Sequence, residues 1–348
     1  MEPRVFGILD GQPVYEVSLR SESGMRAQVI TWGAAVRDLC GPPRGERSRH
    51  LVLGLNTLED YLQYSAHFGA VAGRFANRIA NGRFLLDGAA YQLPVNDGGK
   101  HSLHGGGAGF GRRSWQLARW DDASVTLTLV SPEGDNGYPG AVFVTCTYRL
   151  IEPAILRVEL TAISDAPTPL NLSHHSYFNL DGSPDILGHT LQVAADFYTP
   201  TDAEDIPTGE IRSVQGTHHD FREPRAVRRV DALGRRVCYD TNFVLRRSGQ
   251  AGLWAQDLNH AATLGSSTQE VSLEVWTTEP GLQVYDGYKL KLPVAGLDGA
   301  FYGPSSGICL EPQHFPDSPN RAHFPNTILQ PGRVYRQLTE YRFQGFSI

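Results

Sequence analysis

Hydrophobic positions in this chain recur mainly at every second residue. Over residues 141–150, Val142, Val144, Cys146, Tyr148 and Leu150 share one parity, while Phe143, Thr145, Thr147 and Arg149 share the other. A strand turns successive side chains to opposite faces, so such a run buries one face and gives the other to solvent or a second layer. The same alternation marks residues 125–130, 155–161, 190–197, 271–277 and 283–292, with clusters of Asn, Asp, Gly and Pro between them. Only residues 57–64 and the few around 317–321 carry a helical pattern. A parallel sheet needs a crossover helix after each strand, and helices are too few here. The pattern predicts an all-β fold: a large antiparallel β-sandwich with very few short helices.

Composition narrows the picture. The chain has 348 residues, 41% hydrophobic and 20% charged, which is enough apolar material for a large core. Its 37 glycines and 22 prolines, spread throughout, punctuate it too often for long helices. A net charge of −6 argues against a nucleic-acid partner. No stretch reaches the roughly 18 apolar residues of a membrane helix. Arg4, Asp10 and Glu16 interrupt the N-terminal segment, so neither a membrane association nor a signal peptide is expected. Cys40, Cys146, Cys238 and Cys309 are far apart and form no C-x-x-C pair, which points to a reducing cytoplasm. The sequon at Asn171-Leu172-Ser173 reads as chance in that setting. Nothing marks a linker, so residues 1–348 are expected to form a single domain. No signal for an oligomeric state is present.

Four segments combine polar side chains with strand or turn context. In Gly73–Gly82, Arg78 offers a five-donor fork suited to several oxygen acceptors at once, or to an ion pair. In Lys100–Phe110, the glycines after His104 hold an imidazole on a loop where backbone can approach a ligand. The spacing is not a dinucleotide fingerprint, and no βαβ unit surrounds it. In Leu172–Leu180, an extended chain sets His175, Tyr177 and Asn179 on one face, opposite His174, Ser176 and Phe178. A histidine beside two hydrogen-bonding side chains is a candidate general acid, or a core histidine satisfied by its neighbours. In Gly307–His314, Glu311 and Gln313 oppose Ile308 and Leu310. A carboxylate in such a strand is costly unless paired, which makes Glu311 a candidate base or a solvated edge residue. His101, His104, His174 and His175 raise a metal reading, but their spacing is loose and no acidic or cysteine ligand falls at a recognisable offset. No G-x-S-x-G elbow suggests a serine nucleophile.

Taken in order, these segments resemble the aldose 1-epimerase family, also called galactose mutarotases. The resemblance runs from Leu51–Leu55 and Phe68–Arg74 with Asn77-Arg78-Ile79, through Ser102–Gly106, Pro132–Gly140 and His175–Leu180. It continues through Pro207-Thr208-Gly209, Asp240-Thr241-Asn242-Phe243 and Thr277–Gln283, to Cys309–Gln313. It therefore covers nearly the entire chain. It implies a single-domain supersandwich with a monosaccharide cleft and no metal or organic cofactor. The implied activity is interconversion of the α and β anomers of a free hexose such as D-galactose or D-glucose. By resemblance, Glu311 matches the family's general base, His175 its general acid, and His104 a second cleft histidine near the reacting centre. Asn77, Arg78, Tyr177, Asp240 and Gln283 match positions that hold the substrate. Thr241 stands where many relatives carry a histidine and His174 where an asparagine is common, and both departures bear on sugar preference.

Opening a cyclic hemiacetal needs one group to take the C1 hydroxyl proton and another to protonate the ring oxygen. An ionised Glu311 beside a protonated His175 is the expected resting state, since opposite charges favour one another. Trp32 and Trp276 are the aromatic candidates for stacking on the sugar. Two other readings use the same residues: a glycoside hydrolase with Asp240 and Glu311 as its carboxylate pair, and a non-catalytic sugar-binding protein on the same fold.

Overall fold

The computed structural model describes residues 2–43, 48–247 and 257–346. Three antiparallel sheets dominate. A four-stranded meander joins Arg4–Leu9, Gln12–Arg20, Arg26–Ile30 and Ala35–Cys40 in chain order. A nine-stranded sheet runs, edge to edge, through Gln116–Trp120, Ser124–Ser131, Val142–Ile151, Ile155–Ser164, Tyr335–Gln344, Ser272–Thr277, Asn259–Gly265, Thr190–Val193 and Arg225–Ala226. A six-stranded sheet runs through Tyr177–Phe178, Ile308–Gln313, Gly281–Tyr285, Asp240–Leu245, Ala195–Thr199 and Arg212–Ser213. Every ladder between named strands is antiparallel among the described residues.

The period-2 pattern is what builds these sheets. Along Val142–Ile151, Val142, Val144, Cys146, Tyr148 and Leu150 are buried while Phe143 and Arg149 are exposed. One apolar core joins all three sheets, with Val17 and Val29 from the first, Val144 and Leu160 from the second, and Leu282, Val284, Ile308 and Leu310 from the third. The one α-helix among the described residues, Leu58–Tyr64, starts where Thr57 caps it by accepting from the Asp60 N–H at 3.1 Å, and it buries Leu58 and Tyr61. The second helical pattern yields a single 3₁₀ turn, Ser318–Asn320.

Two expected strands end early. Residues 190–197 split between sheets, Thr190–Val193 pairing into the nine-stranded sheet and Ala195–Thr199 into the six-stranded one. The alternation over 283–292 holds only to Tyr285, because Gly287 turns the chain at φ +67°. Alternation records which side chains are buried; where the backbone leaves one ladder for another depends on the partner strand.

Two buried polar side chains hold the segments that later converge. The Arg74 guanidinium, 1% exposed, donates to Pro139 O at 2.8 Å, Gly140 O at 2.9 Å, Thr168 Oγ1 at 3.1 Å and Ser131 Oγ at 2.6 Å. Asn171, fully buried, donates through Nδ2 to Ala76 O and His314 O and accepts from the His314 N–H at 2.9 Å. It is thus a structural tie, inaccessible to glycosylation. Truncating Arg74 strands several buried carbonyls. The Arg74→Met variant is expected to lose about 3 kcal/mol or more of stability, read as a shift of the urea midpoint at unchanged slope; a change below about 1 kcal/mol would contradict this reading.

Candidate active site

The strands of the six-stranded sheet set a row of polar side chains on its face away from the apolar core. Gln283 lies directly opposite both Glu311 and Asn242 in the ladders, and Asp240 lies two positions from Asn242 on the same face. Gln283 Nε2 donates to Asp240 Oδ1 at 2.6 Å. Glu311 is 2% exposed and its Oε2 has no hydrogen-bond partner. The Gln337 amide, from the nine-stranded sheet, donates to Pro312 O at 3.1 Å and Leu172 O at 3.0 Å, so one side chain fixes both the Glu311 strand and the segment entering His175.

His175 occupies the break between Ser173–His174 and Tyr177–Phe178. Its backbone N–H donates to Ala70 O at 2.9 Å and its carbonyl accepts from Gly69 N–H at 3.0 Å. The ring lies between two groups: Nε2 is 3.5 Å from Glu311 Oε2 and Nδ1 is 3.5 Å from Cys309 Sγ. His104, at φ +51°, donates its N–H to Asn77 O at 3.0 Å while its Nδ1 accepts the Asn77 N–H at 3.2 Å. That reciprocal pair assigns the ring proton to Nε2. Arg78 is held by Asp97, Nε to Oδ2 at 2.6 Å, and by Asp205, Nη2 to Oδ2 at 3.3 Å.

All eight residues singled out from the sequence, Asn77, Arg78, His104, His175, Tyr177, Asp240, Gln283 and Glu311, line one cavity of about 210 Å³. Its volume is below the roughly 300–1,000 Å³ of pockets for drug-sized ligands, a size suited to a single small polar molecule. His67, Asp97, Tyr285 and Lys289 also line it and were not singled out. His67 packs against His104, with ring centroids 4.6 Å apart and planes tilted by 52°, and its ring centroid lies 5.7 Å from that of His175. It sits on a positive-φ turn beside Phe68, and nothing in its local sequence separates it from a loop histidine. Trp32 and Trp276 are elsewhere: Trp276 packs on His260 and Arg342, and Trp32 bridges to Ser114. The aromatic walls are Tyr177 and Tyr285. Tyr177 Oη donates to Ala66 O at 3.0 Å, so the ring shapes the wall while its hydroxyl is engaged by backbone. Asn179 turns away, donating to Ser183 O and Ser306 O. The four histidines of the metal reading do not converge. His101 Nδ1 accepts from the Asn81 N–H, and His174 lies behind His175 between Tyr148 and Ser176.

The family model for aldose 1-epimerase matches residues 15–342. The chain belongs to the aldose 1-epimerase family. It is 42% identical to the galactose mutarotase of Bos taurus over 95% of this chain and 94% of that one. It is 37% identical to the aldose 1-epimerase of Escherichia coli K12 over 96% of each. Its fold superposes with a TM-score of 0.86 on the GalM/aldose epimerase homologue from C. elegans, 30% identical, covering 95% of this chain and 99% of that one.

Electrostatics in this cavity differ from the simple ion-pair expectation. Burial, reinforced by Asp240, pushes the Glu311 carboxyl well above its usual range. Burial, reinforced by His67, pushes His175 down to about 3. Each group by itself thus favours its neutral form, because the cavity withdraws water from both. His104 is likewise held well below its usual value by burial first and by the neighbouring histidines second. His174, in the core, is pushed down to about 3 by burial. A histidine that stays neutral in the folded state while its unfolded form binds a proton near pH 6.5 makes stability fall as pH falls through that window. Replacing His174 by Asn removes one such group. The stability lost by wild type between pH 7.5 and 5 is expected to shrink by about 2 kcal/mol in His174→Asn, measured by urea unfolding at both pH values. An unchanged pH dependence would place the proton uptake elsewhere.

Proposed function

We propose that the chain interconverts the α and β anomers of a free hexose, D-galactose or D-glucose, with Glu311 as general base and His175 as general acid. The observation that carries this reading is the 3.5 Å approach of His175 Nε2 and Glu311 Oε2 at the wall of a cavity sized for one sugar ring. In the opening step Glu311 accepts the C1 hydroxyl proton as the C1–O5 bond breaks, and His175 gives its proton to O5. The product is the open-chain aldehyde. Rotation about C1–C2 turns the other carbonyl face toward O5. Closure then returns the O5 proton to His175 and the Glu311 proton to the carbonyl oxygen. Protons and bonds balance, and only two titrating groups are needed.

The buried pair is suited to this traffic. Attraction between an ionised Glu311 and a protonated His175 at 3.5 Å is about 5 kcal/mol at an effective dielectric of 20. Burial's effect on His175, from 6.5 to about 3, is of the same size at about 1.4 kcal/mol per pKa unit. Burial of Glu311 adds to the cost of the ion pair, so the attraction offsets only part of it; the pair shares one proton, and a ligand's hydroxyls can favour the ionised arrangement that the opening step uses.

Around the reacting atoms, Arg78 with its Asp97 and Asp205 partners and Asp240 with Gln283 offer charge-assisted hydrogen bonds to sugar hydroxyls. His104 and Asn77 add neutral ones. His104, kept uncharged, donates through Nε2–H without competing as an acid. These residues hold the carbon frame while C1 turns. The same proposal takes residues 1–348 as one working domain in a reducing cytoplasm, a setting in keeping with four unpaired cysteines.

Polarimetry on freshly dissolved α-D-galactose and α-D-glucose tests the roles directly. Glu311→Gln and His175→Asn are each expected to slow mutarotation at least about a hundredfold. The thermal midpoint of Glu311→Gln is expected at or above wild type, since the exchange relieves a buried ionisable group. A variant that keeps wild-type rate would remove that residue from the chemistry. Turnover of aryl galactosides without effect on the free sugar would select the hydrolase reading, and sugar binding without accelerated mutarotation the binding-protein reading.

The pH profile should be bell-shaped. The active pair carries one proton, and burial resists adding a second, so kcat/KM is expected to persist at pH 5. On the alkaline side activity falls as the shared proton is lost. An acid limb at the ordinary imidazole value, about 6.5, would show that His175 titrates as an exposed histidine does.

A further inference from the structure

Away from the cleft, the end of the Ala35–Cys40 strand carries a second cluster of side chains. Asp38 and Cys40 are two residues apart and so share a face of the strand. His50 stands directly across from Cys40 in an antiparallel bridge. Register alone therefore brings a carboxylate, a thiol and an imidazole together. His50 Nδ1 is 2.7 Å from Asp38 Oδ1 and 3.6 Å from Cys40 Sγ, and Cys40 Sγ is 3.7 Å from the same carboxylate oxygen. The other ring nitrogen, Nε2, is 3.0 Å from Asp298 Oδ2.

Oxygen and sulfur both approach the one ring nitrogen, which holds a single proton at most. A cation at their centre satisfies all three atoms at once. For a tetrahedral zinc ion with its usual bond lengths, nitrogen and oxygen ligands lie about 3.3 Å apart and each lies about 3.5 Å from a sulfur ligand. The two distances to sulfur already match, and the nitrogen-to-oxygen distance would open by about half an ångström when a metal replaces the proton. Asp298 is placed as a ligating histidine's outer partner is placed, accepting from the ring nitrogen remote from the metal. An approach route exists, since a cavity of about 730 Å³ is lined by His50 and Asp298 together with Leu53, Phe301 and Tyr302.

We propose that Asp38, Cys40 and His50 form a binding site for a divalent transition-metal ion of the zinc class, with Asp298 orienting the histidine. A thiolate, an imidazole and one carboxylate suit zinc over the hard cations magnesium and calcium. Three protein ligands leave the fourth position to water or to a group entering the cavity. The ion would tie the end of the Ala35–Cys40 strand, through His50 and Asp298, to the turn Leu297–Gly299.

Cobalt(II) is the probe, because a thiolate ligand gives it an intense charge-transfer absorption. The full chain, reduced and stripped with a chelator, is titrated with Co²⁺. One equivalent is expected to produce the thiolate band and a tetrahedral visible spectrum, and Zn²⁺ is expected to displace it. Cys40→Ser should lose the band while its mutarotation rate stays at the wild-type level. His50→Gln should lose high-affinity binding in the same way, and Asp298→Asn should weaken Co²⁺ binding about 10- to 100-fold. His175, Cys309 and Glu311 form the other grouping of ligand-type atoms among the described residues, so Cys309→Ser is the control and should keep the band. A band that survives Cys40→Ser, a band that disappears with Cys309→Ser, or no thiolate band in the wild type would each overturn the site. None of these results bears on the roles of Glu311 and His175.

Discussion

Desolvation of one carboxyl group organises this molecule. Glu311 is fully enclosed, one of its oxygens has no partner, and burial drives it toward the protonated form. Such a group is tolerated only when the surrounding scaffold is stiff enough to withhold water and partners. Here the stiffness comes from a strand paired on both sides. Ile308–Gln313 is hydrogen-bonded to Gly281–Tyr285 along its length on one side and to Tyr177–Phe178 on the other. Its Ile308 and Leu310 side chains are locked into the common core beneath. The strand cannot tilt Glu311 toward solvent without opening that core.

The partner imidazole is held by a different device. His175 lies where a ladder is interrupted, and its backbone is fixed by the 69–70 segment, while Gln337, through Leu172 O, and the Asn171 side chain, through Ala76 and His314, anchor the chain that leads into the break. Arg74 performs the same service for the loop that carries Asn77 and Arg78, tying it to the Pro139 and Gly140 carbonyls and the Ser131 hydroxyl of a distant segment. Buried amides and a guanidinium thus replace regular secondary structure around the cleft. A large antiparallel sandwich suits this arrangement, since its central strands supply an immobile floor while the connections above supply varied side chains.

Much of this was legible in the chain alone. Parity placed Glu311 opposite Ile308 and Leu310 and set His175 and Tyr177 on one face, because alternation in a strand is a local geometric rule. Membership of the aldose 1-epimerase family followed from motifs that extend over most of the length. The helix at Leu58–Tyr64 was visible in the helical pattern over residues 57–64, and its Thr57 cap emerged with the structure. Legibility failed where a residue's meaning depends on a distant neighbour. His67 reads as a loop histidine until folding packs it against His104. Trp32 and Trp276 carry the right chemistry for a sugar face and point elsewhere. Asn179 shares parity with Tyr177 yet turns to the Ser183 and Ser306 carbonyls once the ladder ends.

The amino-acid order by itself determined the all-β class, the faces of the strands and the set of residue types available for proton transfer. Each of these follows from backbone periodicity and side-chain chemistry, which neighbours along the chain suffice to define. Tertiary structure alone decided the protonation preferences and the shape of the cleft. Two segments more than a hundred residues apart must first be buried together before burial can shift a carboxyl up and an imidazole down, and the dielectric around a group is a property of everything packed against it.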